Sequence, residues 1–140
     1  LHHNQKAYAL YGMKGEKAMW NTPSIEILKD VPRLYETEHI NLKDRIIHLH
    51  FFIGGCDWFV AEFDFEDILW GYAVLNNDLE CAEWGYMSFT ELKSIIVNSC
   101  IEVDFDLHWK KRSANQIEKI CKGMRWNEPQ ERKELKNATA

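Results

Sequence analysis

Apolar and polar residues alternate along three short segments, 45–53, 58–65 and 101–109, and this period limits the fold more than any other feature. A period of two residues is typical of β-strands, whose successive side chains point to opposite faces of a sheet. Two further segments, 68–75 and 81–89, lie between turn sequences and are also predicted to be strands. The short connections favour an antiparallel meander.

The alternation also predicts which strand faces are apolar. These faces are Ile47, Leu49, Phe51 and Ile53 in the first segment, Phe59, Ala61, Phe63 and Phe65 in the second, and Ile101, Val103, Phe105 and Leu107 in the last. The opposite faces carry several His, Glu and Asp residues and are predicted to be solvated.

Helical signals flank the strands. Two capping-box patterns, Ser88 with Glu91 and Ser113 with Gln116, predict helices near 90–98 and 113–122. The stretch TPSIEILKDVP predicts another short helix. The predicted fold is therefore α+β, a mainly antiparallel sheet of about five strands with two or three short helices packed on it.

A chain of 140 residues fits one domain. We expect that domain at 23–125, after an N-terminal extension at 1–22 and before a polar tail at 126–140 that is expected to be disordered. No apolar run approaches the roughly 18 residues that span a bilayer, and no signal-peptide core is evident. A cytoplasmic location without membrane contact is expected.

The cysteines Cys56, Cys81, Cys100 and Cys121 are expected to be free thiols, mostly buried. The chain has no Cys-X-X-Cys pair, which argues against structural zinc, and disulfides are rare in the cytosol. No metal or other cofactor is predicted.

Charge is distributed unevenly along the chain. Residues 57–106 hold one Lys or Arg against twelve Asp and Glu, a net charge of −11, whereas residues 107–140 carry +5. Strand carboxylates contribute to the acidic stretch: Glu62, Asp64, Glu102, Asp104 and Asp106. Three interpretations are open: a solvated sheet face, an acidic surface for a protein partner, or groups for divalent-metal binding or acid–base catalysis. A solvated face is preferred for the carboxylate rows themselves.

Two histidines, His48 and His50, would share one face of a strand, as metal ligands can. A third ligand would have to come from elsewhere, for example His39 or His108. Histidines at the edge of a core, with one ring nitrogen bonded, are the preferred interpretation.

Aromatic and basic residues raise the question of nucleic-acid binding. Five aromatic residues could form a stacking platform for bases: Trp58, Trp70, Tyr72, Trp84 and Tyr86. Their acidic neighbours would repel phosphate, so packing is the preferred role. The candidate for phosphate contact is the basic segment 110–125, which begins with Lys110, Lys111 and Arg112.

Glu83 lies among small and apolar residues in EWGYMSFTEL. A carboxylate in such surroundings is expected to be partly buried and to need a partner. Glu83, with Trp84 and Tyr86 beside it, is therefore predicted to anchor the segment LYETE to the sheet, through a cation or backbone N–H groups near Thr37. This role would be structural.

Five pieces of the chain carry a family resemblance: PRLYETEHINLKDRIIHLHFF, DWFVAEFD, WGYAV, AEWGYMSFTELKSI and IEVDFDLHW. Their order, from Pro32 to about Ile120, resembles the domain of unknown function 2958 family. No activity, ligand or catalytic residue is carried over. The resemblance implies a context of small bacterial proteins often found on plasmids, phages and integrative elements, which favours a role in DNA transfer or in countering host defence.

The leading functional hypothesis is a non-enzymatic interaction module whose acidic sheet surface contacts a basic, DNA-handling protein. A divalent-metal-dependent enzyme acting on nucleic acid is the first alternative. The second is nucleic-acid binding through the basic segment 110–125.

Overall fold

A five-stranded antiparallel sheet organises residues 22–97 and 101–126, the part of the chain that the computed structural model describes. The strands are β1 (Ile46–Ile47), β2 (Leu49–Ile53), β3 (Cys56–Phe63), β4 (Ile68–Val74), β5 (Glu83–Ser88), β6 (Ile96–Val97), β7 (Ile101–Glu102), β8 (Asp104–Phe105) and β9 (Arg112–Ser113). The large sheet has the order β5-β4-β3-β2-β8, while β1 pairs with β9 and β6 with β7. The predicted α+β class is confirmed.

The described α-helices are short: α1 (Ile25–Leu28), α2 (Phe89–Ser94) and α3 (Glu118–Met124), with 3₁₀ turns at Leu42–Asp44 and Ala114–Gln116. The Ser88 hydroxyl accepts the Glu91 N–H at 3.2 Å and so caps α2. The capping box of Ser113 and Gln116 is present and opens the second 3₁₀ turn. Serine caps therefore start these elements where the sequence predicts them.

The sheet is buried on both faces, because a separate apolar cluster covers each side. The first core includes Leu28, Leu49, Phe51, Trp58, Val60, Phe63, Leu69, Phe89, Leu92, Val103 and Phe105. The second core includes Ile47, Phe59, Ala61, Tyr72, Val74, Ala114, Ile117 and Ile120. Helices α1 and α2 contribute to the first core and α3 to the second, so the prediction of one solvated face is wrong for the centre of the sheet.

A β-bulge in β3 explains why simple alternation fails there. The pairing with β4 shifts between Val60 and Glu62. Phe63 consequently packs in the first core with Val60, although alternation predicts that it shares a face with Phe59. Glu62 lies opposite Trp70 and is 4% exposed.

The predicted first strand is divided at His48, between β1 and β2. Ile47 packs in the second core, whereas Leu49 and Phe51 pack in the first, so these residues do not share one face. The His48 N–H still donates to the Val60 carbonyl at 2.8 Å. The break lets one continuous segment contribute to both cores.

Residues 90–109 differ most from the prediction. Helix α2 ends at Ser94, and β6 then pairs with β7, as the β-branched residues Ile96 and Val97 favour. The predicted strand 101–109 contributes two short strands to two different sheets. Within it, Val103 and Phe105 are buried as predicted, but Ile101 and Leu107 are exposed.

The predicted N-terminal extension, the predicted polar tail and one cysteine fall largely on residues that the structure does not describe. Residues 1–21 and 127–140 and Cys100 lie outside the described residues. Cys56, Cys81 and Cys121 are free thiols, half-buried, exposed and buried respectively. Across 22–97 and 101–126, no helix has both the length and the apolar character needed to cross a membrane.

Candidate binding surface

Glu62 is a buried carboxylate that holds residues 34–39, here called the arm, against the sheet. Its Oε1 accepts the Tyr35 N–H at 2.9 Å, and its Oε2 accepts the Thr37 N–H at 3.0 Å and the Thr37 hydroxyl. These donors replace the water that the buried charge has lost. Tyr35 has a φ of 73°, a conformation that non-glycine residues adopt infrequently. Glu62 therefore fixes both the arm and an unusual tyrosine backbone.

The anchor predicted at Glu83 is wrong, because Glu83 is exposed at the start of β5. The donors predicted for Glu83, backbone N–H groups around Thr37, donate to Glu62 instead. The β3 bulge places Glu62 under the arm, and alternation alone does not reveal that bulge. Tyr86 does contact the arm, since its hydroxyl donates to the Tyr35 hydroxyl at 3.1 Å.

Two further carboxylates bind turns of the chain. Asp64 Oδ1 accepts the N–H groups of Glu66, Asp67 and Ile68 at 2.7–2.9 Å. Asp67 accepts the hydroxyl of Ser88 and both the N–H and the hydroxyl of Thr90. Burial tends to raise the pKa of Asp67, but these hydrogen bonds hold it below the ordinary value. Asp64 and Asp67 thus order the β3–β4 turn and the start of α2.

The other predicted carboxylates lie elsewhere in the fold. Glu102 is in β7 and Asp104 in β8, whereas Glu62 is in β3, which β2 separates from β8. Asp106 follows β8 and bonds to His50. The five acidic residues predicted as one surface are therefore not brought together.

His50 is the centre of a charged cluster that joins several elements. Its Nδ1 lies 3.1 Å from Asp106 Oδ2, and its Nε2 lies 2.8 Å from Asp57 Oδ1. Lys119 of α3 bonds to the other oxygen of Asp57 and, at 3.1 Å, to Asn77 Oδ1. The His50 ring stacks on the Phe59 ring with centroids 4.7 Å apart. The cluster therefore joins β2, β3, α3 and the segment after β8.

The cluster holds these elements together, and we call its four residues, His50, Asp57, Asp106 and Lys119, the clamp. Both ring nitrogens of His50 face carboxylate oxygens, so the ring links Asp57 to Asp106. Burial raises the pKa of Asp57, but hydrogen bonds from His50 and Lys119 lower it by more, to below the ordinary value. Asp57 is thus held as an anion between the Lys119 ammonium and the His50 ring.

His48 has a different environment from His50. Burial, with a smaller contribution from the Lys111 charge, lowers the pKa of His48 to about 4. Its Nδ1 is buried and has no hydrogen-bond partner among the described residues. No group of three or more His, Cys, Asp or Glu within 22–97 and 101–126 is placed to hold a metal ion, and His39 and His108 are exposed.

The lowered pKa of His48 predicts that folding stability decreases on mild acidification. Between pH 6.5 and about 4 the unfolded chain binds a proton at His48 that the folded chain excludes, so stability decreases as the pH falls through this window. Urea unfolding at a series of pH values should show a smaller decrease for His48→Gln than for the unsubstituted chain. Parallel pH profiles for the two proteins would contradict the assignment.

Two of the three basic residues predicted to meet phosphate, Lys111 and Arg112, have side-chain contacts within the protein. Lys111 Nζ lies 3.5 Å from Asp30 Oδ2. The Arg112 guanidinium stacks 4.0 Å from the centre of the Trp109 ring and donates to the Lys110 carbonyl at 2.9 Å. Lys110 itself is exposed. Phosphate contact by this segment stays a prediction.

The predicted aromatic platform is divided between the two faces of the sheet. Trp58 is buried in the first core and Tyr72 in the second. Trp70 and Trp84 stack at 5.2 Å on the second-core face, with Arg45 4.9 Å from the Trp70 ring centre. On the same face, Tyr86 lies opposite Trp70 at the edge of the sheet. Packing explains most of these residues, but Tyr86 remains exposed.

Carboxylates lie close enough to β5 to affect the titratable groups on it. The pKa of Tyr86 is raised, first by its hydrogen bond with Tyr35 and further by the charges of Glu62 and Glu38. The pKa of the exposed Cys81 thiol is raised by Asp78, by hydrogen bond and charge, and further by Glu80 and Glu83. Two titratable groups near the two ends of β5 therefore experience nearby carboxylates.

Glu80 also lines an open cavity of about 580 Å³ with Lys122 and Arg125.

More than half of the chain matches one protein family. The model of a family described as "Protein of unknown function (DUF2958)" matches residues 33–118. The chain belongs to the DUF2958 family. The match includes the arm, Glu62 and β5, so the surface described above lies inside the family region. No curated protein and no solved structure matches the chain.

Sequence patterns did not identify several residues that define these sites. Asp57 is the diagonal cross-strand neighbour of His50, a relation that depends on the strand register. Lys119 reaches Asp57 from 62 residues away, and no local pattern indicates that contact. No sequence pattern predicts the positive φ of Tyr35, because tyrosine seldom adopts it. The family resemblance of LYETE is the available signal for this residue.

Proposed function

We propose that this DUF2958 protein is a non-enzymatic binding module whose contact surface, formed by β5 and the arm, receives a basic protein segment. The observation that carries the proposal is the exposed pair Tyr35 and Tyr86, 63% and 59% exposed, with the carboxylates of Glu38 and Glu62 near Tyr86. Tyrosine is enriched at protein interfaces, where it anchors partners through a large amphipathic ring.

Exposed carboxylates lie on both segments that form the proposed surface. They are Glu36 and Glu38 on the arm and Asp78 and Glu83 around the start of β5. Exposed negative charges attract a positively charged partner as it approaches, and they repel an anionic partner. This acidic rim replaces the carboxylate row suggested by the sequence, of which Glu62 is buried.

The structural roles of the other acidic groups support binding over acid–base catalysis. Glu62 holds the arm, Asp64 orders a turn, and Asp57 and Asp106 bind His50. Their oxygens are engaged by donors of the fold itself. The mobile-element context implied by the family resemblance makes a DNA-handling protein the first class of partner to test.

The test is binding of a blocked octapeptide that alternates Arg and Val, compared with a Glu–Val octapeptide of the same length. We expect the basic peptide to bind and to weaken steeply from about 0.01 M to about 1 M salt, over which the Debye length shrinks from about 30 Å to about 3 Å. The double variant Glu38→Lys, Glu83→Lys should bind about tenfold more weakly at low salt.

Glu26→Lys is the matched control, because Glu26 lies on α1, which packs against the first core, and its side chain is exposed. It makes the same change of charge as either substitution of the double variant, half of their total, and it should leave peptide affinity close to that of the unsubstituted protein. Equal affinity for the two peptides, or tighter binding of duplex DNA than of the basic peptide, would overturn the proposal.

A further inference from the structure

We propose that the basic segment binds β5 as an additional antiparallel strand of the sheet; this inference rests on the proposed function for the class of partner. Among residues 22–97 and 101–126, β5 is the outermost strand on its side and spans six residues, whereas β8 at the opposite edge has two. A long edge strand presents unpaired backbone groups that an extended peptide can bind.

The register shows which backbone groups of β5 face outward. The Phe89 N–H donates to the Asp67 carbonyl at 2.8 Å, which continues the pairing of β5 with β4. Hydrogen-bonded pairs recur at every second residue of an antiparallel ladder. Gly85 and Met87 therefore direct their N–H and C=O groups at β4, and the backbone groups of Trp84 and Tyr86 point away from the sheet.

Side chains on both faces of β5 suit an added strand. Trp84 and Tyr86 share the second-core face, where arginine side chains of a partner would stack on the exposed Tyr86 ring. On the other face, Gly85 has no atom within 4 Å of the position that a Cβ would occupy. This open space next to the edge can receive an apolar side chain, so the alternation of Arg and Val fits both faces.

The β5 strand itself carries none of the residues that commonly block the pairing of an edge strand with another strand. Residues 83–88 include no Lys, Arg or Pro, the residues that commonly block such edges. A second copy of the chain would bring Glu83 and the rest of the acidic rim against an identical rim. Repulsion between like charges favours a basic partner over self-association.

The test uses the full chain and two N-methylated versions of the Arg–Val octapeptide, methylated at all arginine or all valine amides. Amides of successive residues in a strand point to opposite edges, so only one set can face β5. We expect one version to bind at least about tenfold more weakly and the other to bind within about twofold of the parent. Hydrogen exchange with the unmodified peptide should slow at the amides of Trp84 and Tyr86, but not at Gly85.

The outcomes separate the two proposals. If the unmodified peptide does not bind, the proposed function fails and the strand addition fails with it. If it binds with the expected salt dependence, but both methylated peptides bind alike and exchange at Trp84 and Tyr86 is unchanged, only the strand addition is overturned. A dimer in sedimentation with these two amides protected before peptide is added would also overturn it.

Discussion

Replacing Glu62 with alanine is expected to destabilise the fold by about 3–5 kcal/mol, because each donor left unsatisfied costs about 1–3 kcal/mol. The substitution leaves the N–H groups of Tyr35 and Thr37 without their acceptor. It also releases the backbone of Tyr35 from the contact that holds its positive φ. Urea unfolding at neutral pH measures the loss as a change in the unfolding free energy.

Glu83→Ala is the matched control for Glu62→Ala. Both remove one glutamate from the large sheet, but Glu83 is exposed, so its change should stay within about 0.5 kcal/mol. Glu62→Gln, which keeps one acceptor oxygen, should lie between the two. Equal losses for Glu62→Ala and Glu83→Ala would show that the arm does not depend on the buried carboxylate.

Asp57→Asn is expected to cost about 1.5–3 kcal/mol, the range for hydrogen bonds to a charged group. Asp57 has a 10% exposed side chain and bonds to both His50 and Lys119. Without that charge, His50 retains its contact with Asp106, whereas Lys119 retains only the Asn77 amide oxygen among its partners in the cluster. Unfolding free energies at neutral pH provide the measurement.

Acid titration and a double-mutant cycle both test this assignment. Asp57 has a pKa below 3.8 in the folded chain, so its stabilisation is present above the unfolded-state pKa of about 3.9 and is lost as the pH falls through the folded-state value. The difference between the original chain and Asp57→Asn should therefore shrink below about pH 4. Adding Lys119→Met should show a coupling of about 0.5–3 kcal/mol; additive losses at constant pH would contradict the clamp.

Local patterns predicted the elements of this fold better than its pairings. Turn residues and alternation indicated the sheet, and the serine caps at Ser88 and Ser113 start the elements that follow them. Alternation failed at the β3 bulge and at His48, where an irregular backbone changes which face a residue occupies. A pattern that assumes a regular strand cannot locate such irregularities.

The same limit applies to the candidate surface. The sequence predicts an acidic region and an anchored arm, but the choice of Glu62 over Glu83 depends on the strand register. Net charge also does not distinguish carboxylates that bind internal donors, such as Asp64, from those at the surface. The exposed edge of β5 follows from the order of the strands, which local periodicity does not determine.

The clamp around His50 also has a consequence for protein synthesis. His50 and Asp57 are seven residues apart, but Asp106 is 56 residues from His50, and Lys119 is 62 residues from Asp57. Contacts at such separations require the closure of long loops, which slows folding. While a ribosome still holds the segment around Lys119, the β2–β3 hairpin lacks that cation, and Ile117 and Ile120 cannot yet cover Phe59. The second core is therefore completed only after nearly the whole described chain has left the ribosome.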